Sequence, residues 1–330
     1  MCCRARSPRR RCTTGCTTPR SRRWAAHRLP PVVPAWRAAS RSPAPPRSPS
    51  RSDGWCGAVA GASRPVYLSP PMLLAININN TETKAGLFRG DSLEAHWRLT
   101  TAPARTSDEW AAAFTAFLLQ AGRSTQEVRA AVVASVVPPV TQGICEAVER
   151  ATTIAPVIVD GRSALPITLD VEEPLSVGAD RILNTLAASQ LFRRDTIVVD
   201  FGTATTFDCI TGDGRFIGGV IMPGVRTAAD ALIRNTAKLP ATELTPPERV
   251  IGRRTEECIR AGVLLGAAEA VDGLVRRIKA EWPNGRTPHV IATGGLASLV
   301  APLARAIEAV HPDLTLAGLR IAATALGLKW

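Results

Sequence analysis

Cysteine is scarce through most of this chain. Of eight Cys, five (Cys2, Cys3, Cys12, Cys16, Cys56) precede Met72, and residues 72–330 keep only Cys145, Cys209 and Cys258. Three widely spaced thiols, with no Cys-x-x-Cys pair and no His at ligand spacing, exclude a disulfide framework and a zinc site. The expected setting is a reducing compartment, the cytoplasm. Long apolar runs are missing too: the stretch 131–137 ends after seven residues, against the ~20 that cross a bilayer, so no membrane partner is expected. Most of the chain also lacks a charge excess. The formal net charge is +12, but residues 1–71 carry 14 of the 40 Lys+Arg and only Asp53 of the 28 Asp+Glu, leaving 26 and 27 for the rest. The basic excess therefore says nothing about partners of residues 72–330, and no nucleic-acid partner is expected. At ~100–200 residues per domain the length allows about two domains with their own cores, which excludes fibrous and wholly disordered chains.

Residues 1–71 are Arg-, Pro- and Ser-rich, hold 12 of the 26 Pro and show no periodic apolar face, so a disordered extension is expected. An Arg/Ser-rich, acid-poor start also fits a transit peptide or a nucleic-acid arm, but it has neither the amphipathic helix nor the aromatic–basic interleaving those need. Met72 stands directly before a strand-like apolar run. Arg, Pro, Ala and Gly are what GC-rich DNA yields when read through upstream of a gene, so translation is expected to begin at Met72.

From Met72 the pattern is strand-rich, then helical, then strand-rich again. LLAININNT and KAGLFRGDSLEAHWRLT read as two or three antiparallel strands turning at Arg89-Gly90-Asp91. RTSDEWAAAFTAFLLQAG reads as a helix, with Thr106 and Glu109 as a capping pair and Trp110, Phe114, Phe117 and Leu118 at helical spacing. RAAVVASVVPP is expected to be a buried strand, 141–151 a helix, APVIVD a strand, and the residues after GADR a helix reaching Phe192. A second unit opens with TIVVDFGTATTFDCITGDGRFIGGVIMPG, turning at Gly212-Asp213-Gly214, and HVIATGG is a late strand. The two openings echo each other. At an offset of 123 residues Asn77 aligns with Asp200, Asn79 with Gly202 and Thr83 with Thr206. This echo predicts two related α/β halves, 72–187 and 188–330, with a cleft between them.

An apolar strand that ends in Asp-x-Gly-Thr and turns straight into another strand puts a carboxylate, a small residue and hydroxyls at a hairpin tip. Turn N–H groups there hold phosphate oxygens, glycine permits close approach, and the Asp can hold a cation. The same residues also make a plain tight turn. Two such tips, with ATGGL at 292–296 closing a strand, favour the nucleotide reading.

An ordered set of motifs, MLLAININNT, ARTSDEW, ASVVPPV, PLSVGADRILN, VVDFGTATTFD, GGVIMPG, TAKLP, GRRTEECIRAG and ATGG, resembles the type III pantothenate kinases, of the acetate and sugar kinase/Hsp70/actin superfamily. The resemblance runs from Met72 to near the C terminus. It implies an α/β fold of two RNase H-like (actin-like ATPase) halves around a nucleotide cleft, and transfer of the γ-phosphoryl of ATP to pantothenate, the first step towards coenzyme A. It further implies Mg2+ with the ATP, a requirement for K+ or NH4+, and a homodimer that completes the pantothenate site across its interface. Carried over by position, Asp180 is the catalytic acid residue, with Gly178, Ala179 and Arg181 in the pantothenate loop. Asp200 binds the monovalent cation, Thr203 contacts ATP and Thr255 contacts pantothenate. The hairpin 76–83 (Ile76, Asn77, Ile78, Asn79, Asn80, Thr81, Glu82, Thr83) holds ATP phosphates. The residues also have plainer readings: Asp180 and Thr255 as helix caps, and Arg181 as an ion-pair partner or a group for the pantothenate carboxylate.

Three departures stand out. The resemblance implies Asp-x-Gly-Asn-Thr in the first hairpin, where this chain has Asn77-Ile78-Asn79-Asn80-Thr81, and Val171 stands where a Tyr is frequent near the substrate pocket. Asn77 removes a negative charge, so metal affinity should weaken; Asn79 is expected to tolerate the positive φ of a glycine turn. These departures open a competing reading, a non-catalytic homologue that binds nucleotide or pantothenate. A third reading, an acetate or sugar kinase, fits the two hairpins but not GADR together with GRRT.

Overall fold

A computed structural model describes residues 70–330; what the sequence predicts for the segment before them lies outside the described residues. The chain enters through β1 (Met72–Ile78), every residue of which is buried, and continues through β2 (Glu82–Arg89) into β3 (Ser92–Thr100), whose burial alternates along its length. That difference follows from position: β1 is central, whereas β3 is an edge strand with one face in water. The turn between β2 and β3 has Gly90 at φ 54°. In α1 (Ser107–Gln120) the Thr106 hydroxyl accepts from the N–H of Glu109 and the Glu109 carboxylate accepts in return, the expected capping box, while Trp110, Phe114 and Leu118 are buried. β4 (Val128–Ser135), α2 (Pro138–Thr152) and β5 (Val157–Val159) complete the first layer. The strands run β3-β2-β1-β4-β5, antiparallel across the first three and parallel from β1 to β5, the RNase H-like order.

The chain then gives β6 (Thr168–Leu169), α3 (Ala179–Phe192), β7 (Thr196–Phe201), β8 (Ala204–Ile210) and β9 (Arg215–Pro223). Next come α4 (Val225–Arg234) and α5 (Thr255–Arg260), which passes through a π-helical turn, Ala261–Leu265, into α6 (Gly266–Glu281). β10 (His289–Thr293), α7 (Ala297–Val300), β11 (Ala309–Val310) and α8 (Leu314–Ala325) close it. The second sheet is β11-β10-β7-β8-β9-β6. Apart from β6, added parallel to β9, it repeats the first sheet in order and direction. Two related α/β sheets were the expectation, and this repeat bears it out.

The sheets are stitched together through α3 and α8. Leu183 and Leu186 of α3 and Leu316, Leu319 and Ala322 of α8 pack with Leu73 and Ala75 of β1, while Ala187 and Ala188 of α3 pack with Val198 of β7 and Phe216 of β9. Each central strand thus turns alternate residues towards this shared layer. On β1 these are Leu73, Ala75 and, next in the alternation, Asn77; on β7 they are Val198 and Asp200. The last helix of the chain therefore covers the first sheet, and the ends of both central strands open beside the N terminus of α3.

Candidate active site

The β1–β2 tip (residues 79–81) and the β7–β8 tip (residues 202–203) meet: the hydroxyl oxygens of Thr81 and Thr203 lie 2.7 Å apart. Beneath them is a cleft of about 470 Å3 lined by Asn79, Asn80, Thr81 and Glu82 from one tip and Asp200, Gly202 and Thr203 from the other. The first turn is held by the Asn79 N–H donating to the Glu82 carbonyl (3.1 Å) and by the Thr101 hydroxyl donating to the Asn79 carbonyl (2.6 Å). Among the described non-glycine residues positive φ occurs only at Thr153 and Arg193, and Gly202 is not among the positive-φ glycines. Neither tip uses the left-handed region, so Asn79 enters without backbone strain, and not through the tolerance of positive φ expected from the sequence. Its cost lies elsewhere: the amide oxygen of Asn79 is buried with no hydrogen-bond partner.

The ladders revise the alignment of the two hairpins. Asn77 pairs with Lys84, whereas Asp200 pairs with Thr206. The first turn is therefore one residue longer, and on the returning strands Thr206 is equivalent to Lys84 rather than to Thr83. A one-residue slip exchanges the faces of a strand. Accordingly Lys84 and Thr206 both line the cleft, while Thr83 is fully buried and bonded through its hydroxyl to Thr101 at 2.9 Å.

The cleft floor is acidic. Asp180 is the second residue of α3, and its Oδ1 accepts from the Arg181 N–H at 2.8 Å. This carboxylate folds back over Gly178, where a Cβ would stand 2.6 Å from Oδ1. Burial raises the Asp180 carboxyl above its ordinary value, with Arg181 opposing. Asp200 is raised by burial and by the negative charge of Asp180, against the pull of Lys84 and a hydrogen bond from Asn184. Gly294, at φ 94°, sits directly over Asp200, leaving only 2.4 Å between a Cβ there and Oδ1. Lys84, Arg98 and Arg226 bring positive charge to the walls. Arg98 donates to Glu82 (2.7 Å) and reaches across to Gly295 of the second half.

Other expected site residues lie elsewhere. Ile76 and Ile78 are in the core between the first sheet and its outer helices. Asn77 is 2 % exposed, on the inner face beside the cleft. Ala179 packs into the core beneath α3, and Val171 packs against the α3–β9 cluster. Arg181 turns inward: its Nε donates to Asp208 Oδ1 at 2.6 Å, and its guanidinium lies 4.9 Å above the ring of Phe216. Its ion-pair partner is thus a buried acid. Asp208 is fully buried, and its carboxyl is pushed up to about 6 by burial, with Arg181 holding it down. Thr255 opens α5 and lines a separate apolar groove of about 590 Å3 with Met222, Val225 and Ile259. Sequence reasoning missed Lys84, Asn184, Asp208 and Arg226. Asp208 was within reach, as the acid that ends VVDFGTATTFD.

Among the described residues no group of three or more His, Cys, Asp and Glu side chains is arranged to hold a metal ion. The cleft as a whole, with turn N–H groups, cationic walls and a paired-acid floor, has the parts that phosphoryl transfer needs.

A family model described as type III pantothenate kinase matches residues 73–277. Curated proteins named type III pantothenate kinase from Thermomicrobium roseum, Moorella thermoacetica and Frankia alni are 46%, 41% and 43% identical to this chain. The matches run over 251, 250 and 253 residues, which is 76% of this chain in each case and 96%, 98% and 98% of those relatives. This chain belongs to the type III pantothenate kinase family.

Proposed function

We propose that the chain phosphorylates pantothenate with ATP, at the first step of coenzyme A biosynthesis, and that the cleft between the two hairpin tips is where it does so. The observation that carries the site is the meeting of the Thr81 and Thr203 tips over Asp180 and Asp200. In this reading the backbone N–H groups of Asn80 and Thr81 at one tip and of Thr203 at the other receive the ATP phosphates, with the Thr203 hydroxyl beside them. Lys84, Arg98 and Arg226 offset their charge. Mg2+, entering with ATP, would supply further neutralisation of the phosphate chain. Asp180 orients the pantothenate hydroxyl and takes its proton late in a loose transition state. Its raised pKa makes it a stronger base than an ordinary carboxylate.

Asp200 is the residue proposed for the K+ or NH4+ ion. Its half-buried carboxylate, with Oδ1 turned beneath Gly294, suits a cation of low charge. Gly178 supports the role of its loop by leaving room for the Asp180 carboxylate, and Ala179 anchors that loop in the core. Arg181 holds the loop through Asp208. The division into halves at 72–187 and 188–330 is supported by the repeated sheets, with β6 and α8 crossing it. A homodimer is supported by apolar side chains left in water, with Ile221 64%, Val250 73% and Ile251 83% exposed; its pantothenate site would draw Val171 and Thr255 in from the interface. No helix among the described residues is long and apolar enough to cross a membrane, and a cytoplasmic protein without nucleic-acid partners is the reading.

The test is pantothenate-dependent ADP release by the full chain with Mg2+, with and without K+ or NH4+. Cation-stimulated release, unaffected by acetate or common sugars as competitors, is expected. A folded protein that releases no ADP at high ATP and Mg2+ would overturn the assignment.

A further inference from the structure

One buried polar side chain beside the cleft has no part in the reaction as described. Asn184 is 1 % exposed and lies one helical turn after Asp180 on α3. Its Nδ2 donates to Oδ2 of Asp200 at 3.3 Å and to Oδ2 of Asp208 at 3.1 Å, and its Oδ1 accepts from the Thr315 hydroxyl at 3.3 Å. An amide nitrogen carries two hydrogens, so the two carboxylates use it completely. The two carboxylates, which only accept, fix which way round the amide lies, and the Thr315 hydroxyl then braces its oxygen. The acids belong to β7 and β8 and the hydroxyl to α8, so a single side chain on α3 joins all three. Asp208 has a second partner in Arg181. Asp200 is gripped between Asn184 at one oxygen and the backbone of Gly294 close to the other.

We propose that Asn184 is a positioning residue for phosphoryl transfer, holding the Asp200 carboxylate at a fixed angle on the cleft floor, with Thr315 bracing the oxygen end of the Asn184 amide. Asn184 touches no substrate and acts through Asp200, so the inference rests on the reading of Asp200 given above. Preorganised groups of this kind act on the transition state more than on ground-state binding. Removal of the amide frees Asp200 to rotate and takes away its side-chain hydrogen-bond donor, leaving the charge of Lys84 to offset it beside Asp208.

The experiment compares the full chain with Asn184→Ala, Thr315→Val and Thr315→Ser in two readouts. One is kcat and the KM values for ATP and pantothenate. The other is the KCl midpoint for the rise in thermal unfolding temperature with Mg-ATP present, at ionic strength held by choline chloride. Asn184→Ala is expected to lower kcat at least tenfold with both KM values within threefold, and to raise the KCl midpoint at least fivefold. Thr315→Val should move both in the same direction by about threefold, and Thr315→Ser should recover most of that change; these sizes are order-of-magnitude expectations for one lost hydrogen bond near a charged group. A folded Asn184→Ala protein with kcat and KCl midpoint within twofold of the parent overturns the proposal. If Asn184→Ala does not fold, an unchanged Thr315→Val overturns it instead. A parent without turnover refutes the kinase assignment and leaves the KCl midpoint to decide the role of Asn184. A parent with neither turnover nor a KCl response overturns both.

Discussion

Thr81 and Thr203 touch at 2.7 Å across the cleft although 122 residues separate them in the chain. Each belongs to the tip of the first hairpin of its half, so a single contact joins the two copies of the repeat where the phosphates of ATP would lie. Thr81→Ala and Thr203→Ala should each raise the KM for ATP several-fold, in line with a net hydrogen-bond value of about 1 kcal/mol. Thermal unfolding should hardly change, because the contact is exposed. The two effects should be less than additive in the double variant, since both remove the same contact. Initial-rate kinetics on the four proteins checks this; fully additive effects would show that each hydroxyl serves ATP independently.

The Asp180 carboxyl is raised by burial despite Arg181. Only the ionised form can accept a proton, so kcat/KM should fall as pH falls through this raised value, placing the acid limb above the ordinary carboxylate range near 4. Asp180→Asn should lower kcat by ~10²- to 10⁴-fold while ATP still binds, as calorimetry would record. Near-parental turnover in that variant would remove Asp180 from the proposed role.

Much of this arrangement was legible in the sequence, and what was not shares one physical character. The Thr106–Glu109 capping box, the Gly90 and Gly214 turns and the buried strand before Pro138 are local, and propensity and periodicity report them directly. The hairpin echo was legible because both tips carry similar residues. Its registration was not: one extra residue in the first turn exchanged Thr83 for Lys84 at the cleft, and a count of sequence offsets does not see a turn. Arg181 and Asp208 lie 27 residues apart on different elements, so the nature of the ion pair depended on the fold. So did the return of α8 to the first sheet, because an apolar helical face does not say which sheet it covers. The Asn at position 79 was expected to matter through φ; instead, its amide oxygen carries the consequence.

Asn77 occupies the position on β1 that Asp200 occupies on β7, buried and beside Lys84 in the ladder. Asn77→Asp should lower the Mg2+ concentration for half-maximal rate, since the added charge faces the layer that borders the cleft. The same burial makes the carboxylate costly, so unfolding should come at lower denaturant, by about 1–3 kcal/mol if Lys84 pairs with it incompletely. An unchanged Mg2+ dependence together with retained stability would mean that Lys84 takes up the added charge and the metal never senses it.

Arg181 and Asp208 form a buried pair at 2.6 Å whose members have side chains 15% and 0% exposed. Removing one member strands the other: Arg181→Met alone should cost about 3–5 kcal/mol, because Asp208, already raised to about 6 with Arg181 beside it, must then take up a proton or hold a charge in the interior with only Asn184 to solvate it. Arg181→Met combined with Asp208→Asn leaves no buried charge unpaired and should regain most of that loss in urea unfolding. Activity should not return in parallel. In the double variant the loop that carries Asp180 has lost its tether to β8, and Asn184 faces an amide in place of a carboxylate, so kcat should stay at least tenfold down while stability recovers. Recovery of both together would reduce the pair to a packing element; recovery of stability alone would identify it as the anchor of the Asp180 loop.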